Sequence, residues 1–406
     1  MQWACEGSEA MIKSKQRAFL ILRYCTVLLP LVGAVQAGPI DPAFRIVEID
    51  PNPGRVVYAV TSADVDGDGD TDLVVLTENR VLWYEQPSWQ AHTILKDQLP
   101  EDHVCIAARD IDGDGQVDFA IGAGWPRGGV LHWIHRKEDT EALWQVESIG
   151  EERAIHRMYW ADVLGRGRSQ LVVSPLNASV GDGVRLLAFE VPDDPSRERW
   201  PATVLNSSLN RMHNHLHLDF DGQKAVDTIT ASREGLTLIR RNGDEWQSQL
   251  LARGRDGQAD ANSNGAGEVR VGRLSSGRRF LVAVQPMHGD ELVIYREPAR
   301  GQGEWSATVI HSGFRRGHAL QTADFDGDGD DEIVFGHSDT PGKFGVMVWS
   351  SEDSDGASWA STVLDEGEVA TEDVTVADFN GDGRPDIAAG GRSTHNVRMY
   401  LNNAVR

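Results

Sequence analysis

The chain has 406 residues, 40% of them hydrophobic and 25% charged, with a formal net charge of -23. That length fits two ordinary domains or one large closed one, and the charge excludes nucleic acid as a partner, because holding phosphates requires a basic face. Much of the acid is gathered in short Asp runs, which points to cations instead.

From the N-terminus, Lys13, Lys15 and Arg17 precede an apolar stretch from Ala18 to Ala34, then Val35, Gln36 and Ala37. A positive segment, an apolar core and a small-residue cleavage site predict a signal peptide over residues 1–37 and a mature chain over 38–406. The alternative is a membrane anchor. Arg23 and Pro30 interrupt the run and no second one follows, so no span is expected after signal cleavage. The expected setting is secreted, or periplasmic within a cell envelope. Cys5 and Cys25 fall in the signal, leaving Cys105 without a disulfide partner in the mature chain.

One phrase, a small residue plus Asp at the end of an apolar strand, then recurs seven times. Complete copies are DVDGDGDTD from Asp64, DIDGDGQVD from Asp110, DFDGDGDDE from Asp324 and DFNGDGRPD from Asp378; eroded copies start at Asp162, Asp219 and Arg273. The spacings of 46, 52, 57, 54, 51 and 54 residues give a period that means an array or a propeller. Each period carries four strand signals: one before the loop (103–108), one after it (73–76), a third ending in aromatics (81–84) and a fourth opening on Trp. That fourth start falls at Trp89, Trp144, Trp200, Trp246, Trp305 and Trp359. Short strands between Gly and Asp turns predict four-stranded antiparallel meanders. The last repeat stops after its third strand at 397–401, and residues 44–49 resemble the missing fourth. The fold expected is therefore all-β, a seven-bladed propeller closed by an N-terminal strand. An open solenoid is the alternative.

In the first loop Asp64, Asp66, Asp68, Asp70 and Asp72 offer alternate oxygens while Gly67 and Gly69 let the backbone curl, a spacing suited to the six to eight oxygen ligands of Ca²⁺. Asp110, Asp112, Asp114 and Asp118 form the second site, Asp324, Asp326, Asp328, Asp330 and Glu332 the third, and Asp378, Asn380, Asp382 and Asp386 the fourth. An EF-hand starts similarly but needs a bidentate Glu at its twelfth position, and Val75 stands there. The four calcium sites are expected to be structural. These loops resemble the FG-GAP and VCBS repeats of integrin α-subunit heads and of secreted bacterial proteins, a resemblance over residues 44–403 that implies the fold and leaves function open.

An antiparallel meander puts the starts of first strands and the second-to-third-strand loops on the face opposite the Asp hairpins. Six positions before each anchor stand Tyr58, Val104, His156, His213, Gly267, His318 and Glu372. Neighbours add Asp102, His103, Arg157, Asn214, His215 and Asp373, and the opposing loops add Arg233, His288, His337, Arg392 and His395. Imidazoles converging with a carboxylate suit zinc with an open position, or a general base; a polar mouth of hydrogen-bonded histidines is the bland alternative. In MHNHLH, His213, His215 and His217 cannot all reach one ion at a strand spacing of about 7 Å.

The phrases AIHRMYWADV, NHLHLDFDG, PMHGDELVIY, RRGHALQTADFDGDGDDEIVFGH and GGRSTHNVRMYLN are similar to the propeller domain of the aldos-2-ulose dehydratase family. That resemblance implies removal of water from keto-sugars such as 1,5-anhydrofructose, with zinc in the propeller cleft, and marks His156, His213, His288 and His318 as candidates. Counterparts of the family's cupin and lectin domains are not expected among these residues. The assignments expected are His156 or His213 as base and His288, His318 and Glu372 at the metal. Tyr58, His103, Arg157, His215, His337 and His395 would contact a carbohydrate or other small molecule. A binder of glycan or protein without chemistry would need aromatic platforms, and the rim offers only Tyr58, Trp125 and Tyr159. A surface-layer component and a two-carboxylate glycosidase, using Glu372 and Asp102, are further alternatives.

Overall fold

The computed structural model describes residues 44–136, 142–177, 183–257, 263–298, 305–338 and 344–403. The expected signal peptide at 1–37, with Cys5 and Cys25, lies outside them. Among the described residues no helix is long and apolar enough to cross a membrane.

The repeats fold into seven four-stranded antiparallel sheets. Six are consecutive meanders, blades 1 to 6, at 57–96, 105–151, 155–206, 214–253, 268–312 and 317–366. Blade 7 takes three strands from 371–402 and its outer strand from Phe44–Asp50, which pairs with Val397–Asn402 from Phe44↔Asn402 to Glu48↔Arg398. The innermost strands touch one another in cyclic order, with that of blade 7 against that of blade 1. The ring is closed as the sequence predicts, and it leaves only the short outer strand of each blade as a free edge.

Burial follows from stacking the blades face to face. Second strands such as Asp72–Thr77, Asp118–Ala123 and Asp386–Gly391 are buried along their whole length, which is why they read as continuous apolar runs. Fourth strands such as Ala202–Asn206 are half exposed. The Trp residues at their starts fill seams. Trp89 meets Phe379 of blade 7 at 6.3 Å, Trp305 meets Phe220 of blade 4 at 6.0 Å, and Trp359 meets Phe280 of blade 5 at 4.9 Å. Gly122, Gly336 and Gly390 occupy one equivalent place in their second strands, where a Cβ would come closer than 3.0 Å to Ile155, Thr371 or Val57 of the next blade. These glycines draw the innermost strands together where their first residues face the axis.

The Asp loops lie on the opposite face and tie neighbouring blades. Gln86 Nε2 donates to the Phe379 carbonyl at 3.0 Å, Arg136 Nη1 to Val65 at 3.2 Å and Asn402 Nδ2 to Phe325 at 2.7 Å, while Arg241 reaches Leu164 and Arg279 reaches Phe220. In each case a side chain of one blade holds the Asp-loop backbone of the blade before it.

Candidate functional site

In each complete Asp loop the first Asp organises the backbone. Asp64 accepts from the amides of Gly67 and Gly69 at 2.8 and 3.1 Å, made possible by φ values of +84° and +95° at those glycines. Asp110 and Asp324 accept in the same manner, and Asp378 accepts from the amides of Asp382 and Gly383. The last acid is buried and accepts from the amide of the residue after the first: Asp72 from Val65, Asp118 from Ile111, Glu332 from Phe325 and Asp386 from Phe379, at 2.8 to 3.0 Å. Oxygens of Asp64, Asp66 and Asp72 lie within 4.8 Å of one another, as do those of Asp110, Asp112 and Asp118, and of Asp324, Asp326 and Glu332.

Burial beside other carboxylates pushes Asp72 and Asp386 up to about 6, Asp118 to about 7 and Glu332 to about 9. Acids packed together at this cost are what a bound hard cation relieves, so the residues fit calcium. Asp68 and Asp70 are exposed and outside the first trio. Asp114 and Asp328 accept from the amides of Gln116 and Asp330, and Asp330 accepts from Ser275 of blade 5. In the fourth loop Asn380 replaces an acid and Asp382 pairs with Arg384.

The eroded loops keep the turn and replace the cation. In blade 4, Arg240 stands 3.2 Å from both Asp221 and Asp227, bridging the third and ninth positions. In blade 3, Gln170 accepts from Leu164 N at 2.9 Å where complete loops place the buried acid.

On the other face, one nitrogen from each of His156, His213, His288 and His318 lies within 4.8 Å of the other three. They come from blades 3 to 6, three from first-strand starts and His288 from the second-to-third-strand loop of blade 5. The local device is a β-bulge. Pairing of the first two strands shifts register at Tyr58, His156, His318 and Glu372, so each is an extra residue re-aimed toward the axis.

Their tautomers follow from their acceptors. His213 Nδ1 donates to the Gly267 carbonyl at 2.8 Å and faces Glu268 Oε1 at 3.0 Å; His318 Nδ1 donates to the Glu372 carbonyl at 2.6 Å. Both therefore leave Nε2 as a lone pair, and His213 Nε2 meets Nε2 of His288. Neither ring nitrogen of His156 has a protein partner among the described residues, although only 7% of the residue is exposed. Burial first, then neighbouring charge, lowers the pKa of His156, His288 and His318 well below 6.5, and burial also lowers His213. Four neutral imidazoles, two oriented through Nδ1 and one with orphaned nitrogens, fit a nitrogen-preferring transition metal.

Two buried carboxylates stand behind the imidazoles. Glu268, held by Arg157 at 3.1 Å and by Asn214, is kept ionised down to about 2 against the opposing effect of burial. Glu372, expected at the metal, is outside the imidazole group: Arg316 approaches it at 2.5 Å and Arg392 at 2.7 Å, with His318 Nε2 3.6 Å away. Tyr58 donates to Asp102 at 2.8 Å, and Tyr58, Arg157, Arg316, Arg392 and Trp125 line one cavity with His156, His288 and His318.

Four residues expected around that cavity do not line it. His103 is fully buried, His215 bonds His217 at 2.9 Å, His337 stacks on Phe335 at 5.8 Å, and His395 is exposed with Nδ1 on the Arg55 carbonyl. Sequence reading missed Glu268 and Arg316; Glu268 directly follows the rim position Gly267, and Arg316 stands two residues before His318.

A family model described as aldos-2-ulose dehydratase, beta-propeller domain, matches residues 128–298, and FG-GAP-type repeat models match 64–121 and 370–393. Aldos-2-ulose dehydratase of Phanerodontia chrysosporium is 25% identical over 278 residues, 62% of this chain and 31% of that protein, so the match spans under a third of the relative. A crystal structure of BBS1N in complex with ARL6DN, soaked with mercury, aligns over 88% of this chain and 96% of that one at 12% identity and a TM-score of 0.49. The stretch at 128–298 contains His156, His213 and His288. The chain is a seven-bladed β-propeller with FG-GAP-type repeats at 64–121 and 370–393, and through residues 128–298 it is similar to the propeller domain of aldos-2-ulose dehydratase.

Proposed function

We propose that this protein is an exported, calcium-stabilised hydro-lyase that removes water from a keto-sugar at the histidine mouth. The observation carrying this reading is the group of four neutral imidazoles, three buried and that of His288 half-buried, in a propeller similar to that of a named dehydratase. Calcium would be held by the four complete Asp loops and zinc by Nε2 of His213, His288 and His318. When bound, zinc supplies positive charge that polarises the keto oxygen and acidifies the adjacent C–H.

The chain's own groups do the rest. Glu268 and the Gly267 carbonyl fix the His213 ring, and the Glu372 carbonyl fixes His318. His156, whose nitrogens are otherwise unused, takes the α-proton and returns it to the departing hydroxyl, so the elements of water leave and a C=C bond forms. Arg316 and Arg392 pair with Glu372 and neutralise its charge 3.6 Å from His318 Nε2.

The test is metal analysis and turnover of glucosone, the aldos-2-ulose of glucose. Wild type should carry calcium and stoichiometric zinc; His318→Ala should lose the zinc, and His156→Ala should keep it while turnover falls at least about 100-fold. Calcium alone with no turnover would convert the reading to a glycan- or protein-binding propeller.

A further inference from the structure

We propose that the axial cavity between the two faces is a binding site for a small zwitterion, an α-amino acid, whose ammonium meets Asp373 and whose carboxylate meets Arg270. Innermost strands of six blades enclose about 350 Å³ there, from Arg157 and Asp373 at the mouth end to Ser62 and Trp160 at the Asp-loop end. The cavity among the histidines shares only Val104 and Arg157 with it. Thr61, Tyr159, Arg270, Gln321 and Asp373 are half-buried although they stand at the centre of the ring, so solvent reaches these walls.

Opposite charges share the cavity without touching. Arg157 is committed to Glu268 at 3.1 Å. Arg270 is fixed by Nε on Gln321 Oε1 at 3.0 Å and by Nη1 on the Val269 carbonyl at 2.7 Å, with Glu268 3.8 Å away. Its Nη2 donates to no protein group among the described residues. Asp373 Oδ2 accepts from Val60 N at 3.1 Å, and its Oδ1 has no protein donor among the described residues. No ion pair joins Asp373 to Arg270 among them. Burial pushes the Asp373 carboxyl up to about 6 even with Arg157 nearby, so it is ionised at neutral pH.

A carboxylate oxygen and a guanidinium nitrogen left incomplete in a confined space carry a desolvation penalty that a partner removes. Gln321 fixes the distance between them: it accepts from Arg270 Nε, and its Nε2 approaches the carbonyl of Val374, next to Asp373, at 3.5 Å. The charges decide the class of partner. Arg157 and Arg270 are balanced by Glu268 and Asp373, so a lone anion or a lone cation would complete one wall and leave an uncompensated charge inside the ring. A zwitterion completes both walls and leaves the balance unchanged. An α-amino acid carries its two charges on neighbouring groups and is small enough for this volume.

The experiment is calorimetric titration of the full chain, in calcium-containing buffer, with glycine, acetate and methylammonium. Wild type should bind glycine and should bind either single ion at least about tenfold more weakly. Asp373→Asn and Arg270→Gln should each weaken glycine about tenfold or more, with melting curves showing that both variants are folded. His318→Ala should bind glycine as wild type does, because the site is not the histidine mouth. No glycine binding by wild type, acetate or methylammonium equal to glycine, undiminished binding in both charge variants, or loss of binding in His318→Ala would overturn the site and leave the cavity to water. The ligand series on wild type decides the charge rule even where a variant fails to fold. Turnover does not enter the measurement, so the lyase reading and the axial site stand or fall separately.

Discussion

The two faces of the ring are assembled by opposite means. On the aspartate face each loop takes its shape from its own residues, with Asp64 accepting from residues only three and five positions away, and the next blade adds a single side-chain tie such as Gln86 to Phe379. At the histidine mouth the partners are distant in sequence: His213 and Gly267 are 54 residues apart, and Arg157 and Glu268 are 111. A short motif can rebuild the first arrangement in every repeat, whereas the second exists only when several blades have closed. The loops can therefore recur nearly unchanged, while the mouth can differ from blade to blade without disturbing the ring's pattern.

Chelation should separate the faces most sharply. If four loops hold calcium, its removal costs on the order of 10 kcal/mol at about a hundredfold excess over Kd. Thermal unfolding with EGTA, then with calcium restored, should show a large reversible drop that His318→Ala does not share. An unchanged melting curve would deprive the loops of their cations.

Acid should act through buried imidazoles instead. Burial lowers His103 to about 4 from an ordinary 6.5, so between those values the unfolded chain binds more protons. The stability present above pH 6.5 is lost as pH falls toward 4, by up to about 3 kcal/mol for this residue. Urea unfolding of His103→Gln across that range should show a shallower dependence than wild type; an identical slope would show that His103 does not titrate this way.

The smallest effect tests the eroded loops. Arg240→Ser frees Asp221 and Asp227 beside Asp219, restoring acids at the first, third and ninth positions. Calcium titration should then find an additional weak site. No gain would mean that Arg240 is not what excludes the ion.

The ring, its seven blades and its closing strand were legible because the Asp phrase repeats and the chain ends on an incomplete meander. Counting back from the anchors also found the height at which Tyr58, His156, His318 and Glu372 converge. The bulges that aim them were not legible, since an extra residue leaves no compositional mark. Alternation along the chain accounts for His103, one residue from the rim position Val104, whereas His215 is drawn off by its bond to His217; both rings are buried away from the cavity. Glu372 has the right chemistry for a metal, but two guanidinium groups supplied by other segments claim it, and no local pattern announces them.

The pairing of Phe44 with Asn402 sets how the molecule could be tethered. Chain entry and exit are side by side, and Asn402 reaches both neighbouring Asp loops, through its carbonyl to Arg384 and its amide to Phe325. Any segment joined before Phe44 or after Asn402 thus attaches on the side remote from the histidines. A protein anchored there would turn its mouth outward, and a pull on the anchor would be borne first by the hairpins of blades 6 and 7.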